Sequence, residues 1–85
     1  MQLEGTLYHG NRPGARHSAS DNNASHPFNK QMENCLLEIC RTIAVPIPLW
    51  MKKNTRELGA FHQTVFTPDQ FLEPVHFDRF VLRLL

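Results

Sequence analysis

The sequence predicts a mainly α fold: a single small domain of three to four short helices behind a loop-like, disordered N-terminal part. A minor two-stranded sheet, making the fold α+β, is the alternative at the chain ends. Three observations carry this expectation. Composition changes sharply near Phe28, because the first 27 of 85 residues hold only 7 hydrophobic residues, while all six Phe and the single Trp come later. Apolar residues recur at three- and four-residue steps from Phe28 to Ile43, the spacing of one helix face. Two further segments, at Asn54 and Thr67, open with residue types that cap helices.

Residues 1–27 read as a polar, largely flexible segment and residues 28–85 as the helical domain. Between Asn11 and His26 nothing apolar is larger than alanine or proline. Such a stretch buries too little surface to offset the entropy of ordering it. Leu3 to Tyr8 is the one N-terminal run suited to a strand, at a sheet edge against the C-terminal segment. The folded part is then about 58 residues, near the lower limit for independent folding.

Phe28, Met32, Cys35, Leu36, Ile39, Cys40 and Ile43 predict an amphipathic helix over 29–44. It must stop before Pro46, whose ring removes a donor and holds Val45 extended. Val45 to Trp50, with prolines at 46 and 48, reads as a rigid apolar connector. Asn54 and Glu57 form a capping box for a short second helix carrying Leu58, Phe61 and Val65, weakened by Gly59. Thr67-Pro68-Asp69-Gln70 has a cap, a proline at the first helical position and a glutamine that reaches back, with Phe66 and Phe71 placed as a hydrophobic staple. The last segment, Phe77 to Leu85, fits a helix capped by Asp78, with Phe77, Phe80, Val81, Leu84 and Leu85 on one arc. As a strand it alternates only through Phe80, Leu82 and Leu84, so helix is the preferred reading.

Several functional classes are excluded at this level. No apolar run approaches 18 residues, so no membrane partner is expected. Met1-Gln2-Leu3-Glu4 lacks the basic start of a secretory signal, and two cysteines are too few for a disulfide scaffold; a cytoplasmic protein is expected. A net charge of +1 creates no field that would select nucleic acid or an acidic surface.

Candidate chemistry is sparse. Cys35 and Cys40 stand about 140° apart on a helix, which prevents both from ligating one ion, so they read as small core hydrophobes. A metal would require His62 and His76 to converge with one cysteine. His9, His17 and His26 read as solvated, and His62 and His76 as partly buried, hydrogen-bonded side chains. Leu7-Tyr8-His9-Gly10 resembles the first-strand motif of the ADP-ribosyltransferases, in which a His beside a Gly helps hold a nicotinamide dinucleotide. The resemblance covers four residues, and that family's larger sheet, with aromatic and acidic positions on later strands, has no counterpart in the remaining sequence. No Ser-His-Asp order or glycine-rich phosphate loop occurs. The chain therefore reads as non-enzymatic, without a metal or cofactor.

Six large rings are many for so small a core, and exposed aromatic patches mark protein contacts. The leading expectation is a protein-interaction module whose aromatic patch comprises Trp50, Phe61, Phe66 and Phe71, binding another protein or itself. The alternative is a small nucleic-acid-binding protein using Lys52, Lys53 and Arg56, with Arg79 and Arg83, as a basic face. The two separate on whether the basic residues share one surface.

Overall fold

In the computed structural model, which describes residues 1–85, the two chain ends meet at the centre of a four-stranded antiparallel sheet. The strands are β1 (Gln2–His9), β2 (Arg12–Ser20), β3 (Gln63–Phe66) and β4 (Arg79–Leu84), in the order β2-β1-β4-β3. Two helices, α1 (Phe28–Thr42) and α2 (Lys52–Phe61), and a single 3-10 turn at Pro68–Gln70 complete the chain. The fold is α+β. It corrects the expected mainly helical domain, and no part of the N-terminal segment is disordered.

The order of the N-terminal segment has a clear physical cause. Only Ala19 of β2 is buried, so the apolar content of residues 12–20 gives no hint of order. The strand is held instead by its backbone ladder to β1, which runs from Gln2↔Ser20 to His9↔Arg12 with one bulge. Gly10, at φ +62°, opens the two-residue turn between them, where a positive φ at the first central position suits a twisted hairpin. The turn is also tied to the far end of the chain: the Gly10 N–H donates to the Asp78 carboxylate, and Arg79 Nη1 donates to the Gly10 carbonyl at 3.0 Å. Asp78 thus anchors a hairpin; it does not cap a helix.

The C-terminal segment is also corrected. It forms β4, a central strand paired with β1 from Leu3↔Leu84 to Tyr8↔Arg79 and with β3 from Gln63↔Arg83 to Phe66↔Phe80. Phe80 and Leu82 point to one face and are wholly buried. Val81, on the other face, is buried too, which blurs the alternation by which a strand is recognised.

α1 lies where its periodicity predicts, and Cys35, Leu36, Ile39 and Cys40 form its buried side. It approaches β1 very closely. A Cβ on Gly5 would lie 2.5 Å from Ile39 Cγ2 and 2.6 Å from Phe80 Cε1, so only glycine admits this packing. The helix ends with the Val45 N–H bonded to the Cys40 carbonyl at 3.0 Å across Ala44, which takes the left-handed conformation at φ +58°.

α2 starts two residues before the expected cap. Met51 is its N-cap, and Asn54 is the third helical residue, its Oδ1 accepting the Met51 N–H at 2.9 Å. The helix stops at Phe61, and His62 turns left-handed at φ +55°. Val65, expected on its apolar stripe, therefore belongs to β3. The Thr67 box forms, with the Thr67 N–H donating to Gln70 Oε1 at 3.2 Å, but it caps only the 3-10 turn.

Both helices cover the same face of the sheet as Gly5 and Phe80. The opposite face is covered by its own side chains. Glu4 lies between Arg16 and Arg83, at 4.0 and 3.7 Å, and the Arg79 guanidinium sits 4.3 Å over the Tyr8 ring. The aliphatic stems of these residues shield Thr6 and Val81, which are buried without a helix above them.

Candidate functional site

The connector before α2 is fixed in place by its neighbours. Pro48 is buried, the Leu49 N–H donates to the Gln70 carbonyl at 2.6 Å, and Gln70 Nε2 returns a bond to the Leu49 carbonyl at 3.1 Å. Trp50 follows directly. Its indole Nε1–H donates to Thr55 Oγ1 at 2.8 Å, and its ring packs at 5.6 Å on Phe66, which in turn lies 5.7 Å from Phe80. A line of aromatic rings thus runs from the centre of the sheet to the surface.

Trp50 ends that line in the wall of an open groove of about 290 Å³. The first turns of α1 supply Phe28, Asn29 and Met32. Opposite them, α2 supplies Thr55, Leu58 and Gly59, and Leu84 of β4 and His62 complete the lining. Phe28 is 55% exposed, so an aromatic ring stands on the rim with no partner in the fold.

The four aromatic residues singled out from the sequence do not form one patch. Trp50 lines the groove. Phe66 is fully buried behind it, and Phe71 is buried elsewhere in the core, edge-on to Phe77 at 5.3 Å. Phe61, at the end of α2, is 74% exposed but does not line the groove. Phe28, Met32, Gly59 and Leu84 were not anticipated as site residues. The sequence assigns Phe28 and Met32 to the core stripe of α1, and only the relative placement of the two helices leaves Phe28 uncovered.

The basic residues fall into two groups on opposite layers. Arg79 and Arg83 project from the helix-free face of the sheet, already engaged with Tyr8, Gly10 and Glu4. Lys52, Lys53 and Arg56 lie on α2. Lys52 precedes Gly59 by seven residues, which returns it to within about 20° of the same side of the helix, and Arg56 is offset by about 60°. Both are exposed, and neither lines the groove. Lys53 is turned away, on the side of Asp69, whose carboxyl is held below its ordinary range chiefly by the Thr67 hydroxyl and slightly by Lys53.

Cys35 and Cys40 are free and buried in the core. Burial raises both thiols, Cys40 to about 11. No three His, Cys, Asp or Glu side chains are placed to hold a metal ion. His9 and His76 share a second cavity of about 340 Å³ with Glu73, at the other end of the molecule. His9 closes β1 beside the hairpin turn at Gly10. No helix is long and apolar enough to cross a membrane. No known protein family, curated protein or solved structure matches this chain.

Proposed function

We propose that this chain is a small non-enzymatic protein-interaction module whose contact surface is the groove between α1 and α2. One observation carries the reading: the groove stays open and apolar after the core is complete, with Trp50 in its wall and Phe28 more than half exposed on its rim. Anchoring aromatics beside a concave apolar surface are the usual source of binding energy between proteins. The helix-free face of the sheet lacks this character, since Arg16, Glu4, Arg83, Tyr8 and Arg79 already cover its apolar residues. The nucleic-acid reading draws less support, because its five basic residues lie on opposite layers and Glu4 sits between Arg16 and Arg83. We also propose the cytoplasm as compartment, where two unbridged thiols stay reduced.

The test is a selection of randomised displayed peptides on the folded protein, with the groove blocked in a matched variant. Gly59 lines the groove, and a Cβ there meets no atom within 4 Å. Gly59→Leu therefore fills the site while improving helix propensity by about 1 kcal/mol, so a loss of binding is not a loss of fold. The expected result is a set of peptides with shared apolar anchors that bind the wild type and not Gly59→Leu. Peptides indifferent to Gly59→Leu would overturn the reading. So would a protein that selects no peptide and instead retains oligonucleotides with a steep salt dependence.

A further inference from the structure

The two edges of the sheet are finished differently. At β3, α2 packs along the edge and Asn54 Nδ2 reaches the Val65 carbonyl at 3.5 Å. At β2 the strand pairs with β1 alone, and no strand lies beyond it. The ladder shows which groups of β2 point outward. The Asp21 N–H donates to the Met1 carbonyl at 2.9 Å, while the Gln2 carbonyl accepts from Leu85 on the opposite side. Bonding direction alternates along an antiparallel strand, so Ala19 and His17 bond to β1. The N–H and C=O groups of Arg16, Ser18 and Ser20 therefore face away from the sheet, and all three residues are exposed. Pro13 and the bulge opposite Leu7 disrupt only the hairpin half of this edge.

We propose that β2 pairs antiparallel with β2 of a second copy of this chain, about a two-fold axis through Ser18, joining the two sheets into one. In this register the free edge is its own complement. Ser18 exchanges hydrogen bonds with the partner's Ser18, and Arg16 exchanges them with the partner's Ser20 on either side of the axis. His17 then lies opposite the partner's Ala19, so no two like charges meet. An axis through Arg16 would set two guanidinium groups directly opposite each other, which repels. An axis through Ser20 would carry the pairing past the end of the strand. No residue of β2 lines the groove between α1 and α2, so this contact is separate from the groove.

Sedimentation velocity over a concentration series should show a dimer of the wild type. Ser18→Pro removes the donor at the axis and no bond of the β1 ladder, so it should be folded by circular dichroism and monomeric. Gly59→Leu, which alters only the groove, should dimerise as the wild type does. A pair of cysteine variants reads the register independently, should the proline unfold the strand. Residues of a hydrogen-bonded antiparallel pair stand about 5.5 Å apart at Cα, within reach of a disulfide. Diamide should therefore link Ser18→Cys into a covalent dimer. Arg16→Cys, whose two copies lie far apart across the axis, should stay unlinked. Cys35 and Cys40 are buried and do not compete. A wild type that stays monomeric would overturn the proposal. So would a dimer retained by folded Ser18→Pro, a dimer lost in Gly59→Leu, or equal cross-linking of the two cysteine variants.

Discussion

Asn54 Nδ2 donates to Thr64 Oγ1 at 2.7 Å within the protein, where both residues are almost wholly shielded from solvent. The bond joins α2 to β3, and it is part of a closed set. Asn54 Oδ1 accepts from the Met51 N–H at 2.9 Å and from Gln70 Nε2 at 3.0 Å, while the Thr64 hydroxyl donates to Glu57 at 2.7 Å. No buried side-chain polar atom in the protein lacks a partner. The set positions the groove, because Trp50 hangs between the two segments that Asn54 and Gln70 clamp.

Asn54→Ala removes an acceptor from the Met51 N–H and from Gln70 together. Buried donors left without partners cost about 1–3 kcal/mol each, so the variant should lose roughly 2–4 kcal/mol. Urea denaturation should show a lower midpoint with an unchanged slope. A loss below the error of that measurement would mean that water replaces the amide freely and that the clamp is not rigid.

Ala44 offers the opposite sign. Its left-handed φ of +58° suits glycine better than alanine, and the helix-ending bond is made by the Val45 N–H to the Cys40 carbonyl, independent of the Ala44 side chain. Ala44→Gly should stabilise the fold by about 0.5–1 kcal/mol, read as a rise in melting temperature. A fall would show that the methyl group makes packing contacts worth more than the strain.

The turn between β2 and α1 should govern acid stability. Hydrogen bonds from the Asn23 backbone and the Asn34 amide, with the His26 ring, lower the Asp21 carboxyl from 3.8 to about 2. Because the folded value lies below the unfolded one, the stabilisation is complete above about pH 4 and disappears as pH falls toward 2. Asp21→Asn should flatten that part of the stability–pH curve and leave its shape at higher pH unchanged. An identical acid limb in the variant would assign it to other carboxylates.

The legible parts of the fold are those fixed by local sequence. α1 is written in its own periodicity, and the Thr67–Gln70 box in four adjacent residues. The sheet is different, because its strands depend on distant partners. β2 gains its order from the backbone of β1 and buries almost nothing. β4 also fits a helical arc, since Val81 is buried on the face of the sheet that no helix covers. Asn54 has the residue type of a cap, yet it serves three residues inside the helix, a role set by Gln70 and Thr64 across the fold. For the site, Trp50 stands out in a proline-rich connector from sequence alone. Phe28 and Gly59 do not, because their importance depends on the gap between two helices whose spacing is tertiary.

The chain has one Trp, so its indole N–H gives a single NMR signal located in the groove wall. Following that signal in the wild type during titration with a selected peptide tests directly whether the groove is the contact surface. The account predicts a shift on titration of the wild type and a static signal in Gly59→Leu. A Trp50 signal that stays in place while resonances of Tyr8, Arg79 and Arg83 move would contradict it, and would put the binding surface on the other face of the sheet.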